Sequence, residues 1–180
     1  MKVLVTGSQG YIGAVLTPLI SRAGHDVHGI DTDLYRRCTY GEAMPDIPWV
    51  RKDIREVEAS DLRGFDAVIH LAALSNDPLG DLNPELTMDI NHRASVRLAQ
   101  LSKQAGVKRF LFSSSCSTYG AAGEEMLTEA ANFNPVTAYA ESKVFVERDV
   151  SKLADDAFSP TSLRNATAYG VSPRIRFDLV

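Results

Sequence analysis

The chain of 180 residues carries 19 Lys and Arg against 23 Asp and Glu, a formal net charge of −4. With 44% hydrophobic and 23% charged residues, the composition is that of a globular domain and excludes a disordered, collagen-like or coiled-coil chain. The mild negative charge gives no electrostatic reason to expect nucleic acid or an anionic membrane surface as partner, and no run approaches the roughly 18 apolar residues of a membrane span.

In chain order, short β-type runs alternate with helical patterns. Lys2–Thr6 reads as a strand, followed by a glycine-rich turn and a helix that starts near Tyr11 and ends before Gly24. Asp26–Ile30 is a second strand; 33–48 reads as a loop; Trp49–Arg51 and Ala67–Leu71 are further strands. Asn83, Pro84 and Gly106 are the cap, first residue and stop of a long helix, with Leu86, Ile90, Leu98 and Leu101 at near-helical spacing. Arg109–Ser113 is a strand, 121–135 a loop, Thr137–Leu153 a helix and Thr161–Arg164 a last strand. The final apolar stretch, Arg174–Val180, reads as the start of a helix cut short. Several strands are continuous apolar runs, as in sheets covered on both faces. The fold class is therefore α/β, a doubly wound parallel sheet with helices on both faces.

Two cysteines, Cys38 and Cys116, are too few for a disulfide framework. The N-terminus lacks the long apolar stretch of a signal peptide. Both point to reduced thiols and a cytoplasmic protein.

Residues 7–13, Gly7-Ser8-Gln9-Gly10-Tyr11-Ile12-Gly13, have the pattern G-x-x-G-x-x-G between a strand and a helix. The first glycine permits a tight turn, the second lets backbone approach a pyrophosphate, and the third lets the helix pack close to the sheet. The helix N-terminus offers N–H groups to the phosphates. Asp31, 18 residues after Gly13, can accept hydrogen bonds from ribose hydroxyls and would repel a 2′-phosphate, favouring NAD over NADP. Arg36 and Arg37 are able to hold a 2′-phosphate but read better as a solvated loop. Asp53 and Ile54 can flank an adenine; Asp53 reads equally well as a turn or helix cap.

Tyr139-Ala140-Glu141-Ser142-Lys143 is Y-x-x-x-K on a helix, with both side chains on one face. A neighbouring ammonium favours the phenolate and makes a tyrosine usable as general acid/base. Phe112–Gly120 closes the fifth strand with a run of hydroxyls, at the strand ends where doubly wound sheets bind ligands. Each of these features alone also fits an ordinary glycine turn, a solvated helix face or a polar strand end.

Taken together and in order, the glycine turn, Asp31, His70-Leu71-Ala72-Ala73, Asn91, Ser113–Gly120, Tyr139–Lys143, Leu163-Arg164 and Tyr169-Gly170 resemble the extended short-chain dehydrogenases/reductases. The branch most similar is that of the NAD-dependent sugar-nucleotide epimerases and dehydratases. The resemblance implies a Rossmann-type domain over residues 1–170 with NAD as cofactor. Gly7, Gly10 and Gly13 would contact the pyrophosphate with Tyr11 and Ile12 beside them. Asp31 would bind the adenosine ribose, and Asp53 and Ile54 would flank the adenine. Leu71, Ala72 and Ala73 would pass under the cofactor, with Asn91 in the same binding set. Ser113 would lie near the nicotinamide; Ser115, Tyr139 and Lys143 would be catalytic. No metal is implied.

Three departures shape the expected function. Ser115-Cys116-Ser117 replaces the carboxylate-bearing triplet of the dehydratases, which argues against elimination. Cys116 is one residue off the position of a catalytic cysteine in some relatives and reads as a small packed residue. Thr167 replaces an asparagine expected to touch the sugar. Members of the family are also considerably longer, so 171–180 reads as the start of a truncated substrate-binding lobe, largely absent. The leading expectation is a nucleotide-sugar epimerase that passes hydride to NAD and back through a ketone. The alternatives are an NAD-dependent alcohol or amino-alcohol dehydrogenase on the same frame and a nucleotide-binding fragment without turnover. A homodimer through a four-helix interface would use Ala94, Leu98, Val144 and Val146, which fit packing on the sheet equally well.

Overall fold

Each β-type run expected from the sequence pairs into one parallel sheet, in the order β3-β2-β1-β4-β5-β6. The strands are β1 Lys2–Thr6, β2 Asp26–Asp31, β3 Trp49–Arg51, β4 Ala67–His70, β5 Arg109–Ser115 and β6 Ser159–Asn165. The computed structural model describes residues 1–41, 44, 46–75, 77–121 and 126–176. The fifth strand runs past Ser113 because Ser113, Ser114 and Ser115 pair with Leu163, Arg164 and Asn165. The first three hydroxyls of the run are thus strand, and the rest form a short turn at Cys116–Tyr119.

Alternate residues of β1 face opposite ways, as the strand period requires. Leu4 joins Val68, Phe110 and Phe112 under Leu98, Val146 and Val150 on one side. Val3 and Val5 join Val27 and Ala67 against Ile20 on the other. The helices are α1 Gly13–Arg22, α2 Ala59–Leu62, α3 Asp77–Leu82, α4 Pro84–Met88, α5 Ala94–Gln104 and α6 Ala138–Ser151. This is the doubly wound, Rossmann-type α/β architecture, with α1 on one face and α5 and α6 on the other.

Three differences from the sequence reading have local causes. α1 starts at Gly13 because residues 7–12 are consumed by the turn before it. The long helix after Asn83 is interrupted by a wide π-type turn at Asp89–Arg93, which changes the phase between its halves. Leu86 is consequently exposed while Leu98 is fully buried. The sequence reading omits short turns at Ile54–Glu56 and Cys116–Tyr119 and the short helices α2 and α3, each too brief to show a period. Among the described residues the stretches 33–48 and 121–135 hold no helix or strand beyond a bridge from Thr39 to Arg174; 42, 43, 45 and 122–125 lie outside the description. Of the stretch Arg174–Val180, read as the start of a helix, residues 174–176 hold the bridge at Arg174 and no helix, and 177–180 lie outside the described residues.

Ala94, Leu98 and Val146 are 4%, 0% and 0% exposed, with Leu98 and Val146 in the main core. Leu98 and Val146 pack on the sheet, all three are too buried to offer a surface to a second subunit, and Val144 is half-buried. Among the described residues no helix is long and apolar enough to cross a membrane.

Asn83 caps α4 by accepting a hydrogen bond from the Leu86 amide at 3.0 Å. Asn83→Ala is expected to lower stability in urea unfolding by about 1 kcal/mol, and Asn83→Asp to restore most of it.

Candidate active site

All six strands are parallel, so their carboxyl ends share one edge. From β1 the chain moves outward to β2 and β3, then returns to β4 on the other side of β1. The crevice between the ends of β1 and β4 is the switch point where open α/β sheets bind ligands. A cavity of about 450 Å³ opens there. Gly7, Gly10, Tyr11, Ile12 and Gly13 line it from β1 and the start of α1. Leu71, Ala72 and Ala73 line it just past the end of β4, and Asp31, Asp53 and Ile54 from the ends of β2 and β3.

The glycine turn is dictated by close contacts. Gly7 has φ +76°, a backbone region that favours glycine, and a Cβ there would sit 2.8 Å from the Ala72 nitrogen. A Cβ on Gly13 would fall 2.1 Å from the Gly7 carbonyl oxygen. A Cβ on Gly10 would meet only that same oxygen, at 3.2 Å, so its bare backbone leaves room in the cavity. Helix α1 then opens with Ile12 at its cap, which lends no side-chain hydrogen bond to the helix amides.

Asp31 accepts from the Gln9 amide at 2.9 Å through one oxygen and from the Asp33 amide at 2.7 Å through the other. Each oxygen keeps a further lone pair. Asp53 caps the turn after β3: it accepts from the Arg55 amide at 2.9 Å and pairs with the Arg55 guanidinium at 2.8 Å. The bond from the Arg55 side chain holds its carboxyl below the usual range. Asp53 thus serves as a cap while also facing the cavity. Arg36 and Arg37 are exposed.

Arg174 is the residue that sequence reasoning missed. It is 3% exposed and lines the cavity. It donates to the Gln9 carbonyl at 2.7 Å, the Tyr35 carbonyl at 2.7 Å and Thr39 Oγ1 at 2.9 Å, and pairs with the Asp33 carboxylate. Asp33 has φ +52° and a nearly buried side chain that also meets Arg51 at 3.0 Å. Tyr11 donates to the Gly170 carbonyl at 2.6 Å, and Ser172 to the Tyr11 carbonyl at 2.8 Å. Residues 170–174 therefore cross back from β6 to the glycine turn, a contact between distant segments that no local pattern signals.

Asn91 is 1% exposed, and its amide is spent on Leu74: it donates to that carbonyl at 2.9 Å and accepts from that amide at 2.8 Å. The sequence reading placed Asn91 among the cofactor contacts; the structure turns its side chain onto the segment that lines the cavity.

Ser113, Ser115, Tyr139 and Lys143 do not line the cavity. They gather beyond β4, at the end of β5 and the start of α6. Thr137 caps α6 by accepting from the Ala140 amide at 3.1 Å, which places Tyr139 in its first turn, half-buried. Lys143 is 4% exposed. Its amine donates to the Ser113 carbonyl at 2.8 Å and lies 4.6 Å from the Phe112 ring centre and 5.4 Å from that of Tyr139. Burial pushes the Lys143 amine down to about 7, against an opposing pull from Glu147. Glu147, one helical turn on, is held by the fork of Arg164 at 2.8 Å and by the Ser114 hydroxyl. The Glu147 contact is foreshadowed only by its i+4 spacing from Lys143. Ser115 Oγ accepts from the Ser117 amide at 3.1 Å and the Ser117 hydroxyl at 2.9 Å, which leaves its own O–H to donate. Cys116, expected to be packed, is exposed and faces a second cavity with Tyr119 and Arg164; the turn at Cys116–Tyr119 rotates it away from the core.

Residues 3–178 match the model of the NAD dependent epimerase/dehydratase family. A UDP-glucose 4-epimerase of Lactobacillus helveticus is 33% identical over 183 residues, covering 96% of this chain and 53% of that protein. The structure of a Thermus thermophilus UDP-glucose 4-epimerase in complex with NAD superposes with a TM-score of 0.80 at 28% identity, covering 91% of this chain and 54% of that one. MoeE5 in complex with UDP-glucuronic acid and NAD superposes with a TM-score of 0.79 at 29% identity, covering 91% and 54%. The chain spans about half the length of the relatives it matches.

A lysine whose folded pKa lies below its unfolded value binds fewer protons in the native state across the interval between the two. Stability therefore rises with pH there, by at most about 1.4 kcal/mol per pH unit. Urea denaturation from pH 7 to 9 is expected to show the unaltered chain gaining stability relative to Lys143→Met, with the two curves parallel below pH 6.

Proposed function

The chain belongs to the NAD dependent epimerase/dehydratase family, and on that premise we propose that its switch-point cavity holds NAD and that Ser115, Tyr139 and Lys143 perform the proton chemistry of a nucleotide-sugar epimerase. The observation that carries the reading is the buried Lys143 amine set between the Ser113 carbonyl and the Tyr139 ring, one strand away from a glycine-lined cavity.

The residues present fit the cofactor. Gly7, Gly10 and Gly13 make a cradle that side chains would fill, and α1 starts beside it with no side-chain cap, a helix terminus of the kind that attracts a pyrophosphate. Asp31 retains acceptor capacity for ribose hydroxyls and repels a 2′-phosphate, which selects NAD over NADP. Asp53 and Ile54 stand at the adenine end. Bound NAD supplies a reversible hydride acceptor.

The chain's own groups then do three things. Lys143, held on the same helix face as Tyr139, favours the phenolate through its charge. The Tyr139 oxygen takes a proton from a sugar hydroxyl and gives one back. Ser115 donates its O–H to that sugar oxygen and keeps it aligned with the phenol. Since α6 carries Tyr139 and Lys143 one turn apart, the base and its charge partner are positioned as one rigid body. Ser115, Cys116 and Ser117 supply no carboxyl group, so the site favours epimerisation over elimination. The UDP-glucose epimerases among the relatives make UDP-glucose the first substrate to offer.

With NAD and UDP-glucose supplied, the unaltered chain is expected to interconvert the epimers without accumulating NADH, and Tyr139→Phe to lower kcat by roughly 100-fold or more while sparing NADH binding. Near-normal turnover in that variant would overturn the role of Tyr139. Absence of turnover in the unaltered chain would overturn the epimerase reading for this length of chain, and net NADH formation from a simple alcohol would replace it with a dehydrogenase.

A further inference from the structure

His70 ends β4, is 1% exposed, and takes no part in the proton chemistry above. Its hydrogen bonds nevertheless have only one consistent direction. The Ser95 hydroxyl donates to the Asn91 carbonyl at 2.7 Å; a carbonyl only accepts, so the single Ser95 proton is spent. The 2.7 Å contact between Ser95 Oγ and His70 Nε2 then needs the proton on Nε2. A neutral imidazole protonated there has a bare Nδ1, which accepts from Thr6 Oγ1 at 2.6 Å. The Thr6 oxygen, its own proton used, faces the Ala72 amide at 3.5 Å.

The ring cannot turn or charge to escape this pattern. Phe110 and Phe112 flank it with ring centres at 5.9 and 5.8 Å. Burial pushes its pKa down to about 3, with the nearby Lys143 charge acting in the same direction. At the far end, the Asn91 amide returns to the Leu74 backbone through two bonds. The hydrogen bonds thus form a closed circuit: from Ala72 through Thr6, His70, Ser95 and Asn91 back to Leu74. Thr6 precedes Gly7, and Ala72 and Leu74 belong to the opposite side of the cavity. The circuit ties together the two walls between which a dinucleotide would lie.

We propose that His70, as the Nε2–H tautomer, is a positioning residue that holds the glycine turn and the 71–75 segment at the spacing a dinucleotide requires. This role rests on the cofactor reading given above. His70 itself touches neither cofactor nor substrate; it acts through Thr6 on one side and through Ser95 and Asn91 on the other. The two arms are separable. In His70→Asn the side-chain oxygen stands near the place of Nδ1 and keeps the Thr6 arm, but Ser95 loses its donor. In His70→Gln the amide reaches the place of Nε2 and keeps the Ser95 arm, but Thr6 loses its acceptor.

The first measurement is a long-range 1H–15N correlation spectrum of the uniformly 15N-labelled 180-residue chain at pH 7, without cofactor. A neutral His70 ring protonated on Nε2 is expected; a ring protonated on Nδ1, or on both nitrogens, overturns the proposal. The second is fluorescence titration with NADH of the unaltered chain, His70→Asn, His70→Gln and, as a packing control, Val150→Ala from the core of α6. Both His70 variants should bind NADH about tenfold more weakly, as when one wall is seated in about a tenth of the molecules. Val150→Ala should lose thermal stability and keep its NADH affinity. A His70 variant that folds and binds NADH as the unaltered chain does overturns the proposal, as does an equal loss of affinity in Val150→Ala, which would reduce His70 to one more packed residue. If neither His70 variant folds, Ser95→Ala, which removes one link and leaves the ring in place, carries the same expected loss and the same overturning result. An unaltered chain that binds no NADH overturns the cofactor reading, and the tautomer, observed without cofactor, separates that failure from a failure of the circuit.

Discussion

A Cβ on Gly13 would fall 2.1 Å from the Gly7 carbonyl oxygen, and one on Gly7 would fall 2.8 Å from the Ala72 nitrogen. These two approaches bring the end of β1, the start of α1 and the exit of β4 together, and the cavity opens where those three meet. The backbone cannot be this close if either position carries a side chain, so the cavity and the seating of α1 on the sheet share one steric condition. The positive φ of Gly7 adds a second reason for the same residue type. The consequence for function is a run of bare backbone opposite the 71–75 segment, backed by a helix start, which is a surface suited to phosphate.

Around that surface the structure buries two ion pairs. Arg174 pairs with Asp33 on the β2 side, and Arg164 with Glu147 on the β5 side, each guanidinium also bonded to backbone carbonyls or a hydroxyl. Pairs of this kind contribute less to net stability than to a single arrangement of the segments they join, because either partner alone would leave a buried charge uncompensated. The first pair ties the 170–176 segment to the loop after β2. The second occupies the Glu147 carboxylate, so that the Lys143 amine remains with the Ser113 carbonyl and the Tyr139 ring instead of being drawn along the helix.

The features legible in the sequence are those with a local cause. Short β-type runs, several of them continuously apolar, marked the strands, Asn83, Pro84 and Gly106 marked a helix start and stop, and the three glycines marked the turn at the switch point. Tyr139 and Lys143 were readable as a pair because helical spacing alone brings them together. The features that escaped are made by contacts between distant segments. Nothing near Arg174 in sequence indicates that it reaches Asp33, Tyr35 and Gln9. Nothing near Asn91 tells that a wide turn at 89–93 aims its amide at Leu74 instead of at the cavity. Cys116 looked like a packing residue, but a tight turn after β5 turns it outward; Leu98 and Val146 looked available for an interface until the sheet beneath them was in place. Direction in the Thr6–His70–Ser95 chain is likewise invisible in sequence, since it depends on which hydroxyl has a carbonyl to donate to.

The most direct test of the account is a side-by-side fluorescence titration of the 180-residue chain with NADH and NADPH. Saturable binding of NADH, clearly stronger than that of NADPH, is the predicted result, because the proposed reading has the glycine turn receive the pyrophosphate and Asp31 a ribose without a 2′-phosphate. No saturable binding of either nucleotide, or NADPH binding as well as NADH, would contradict it.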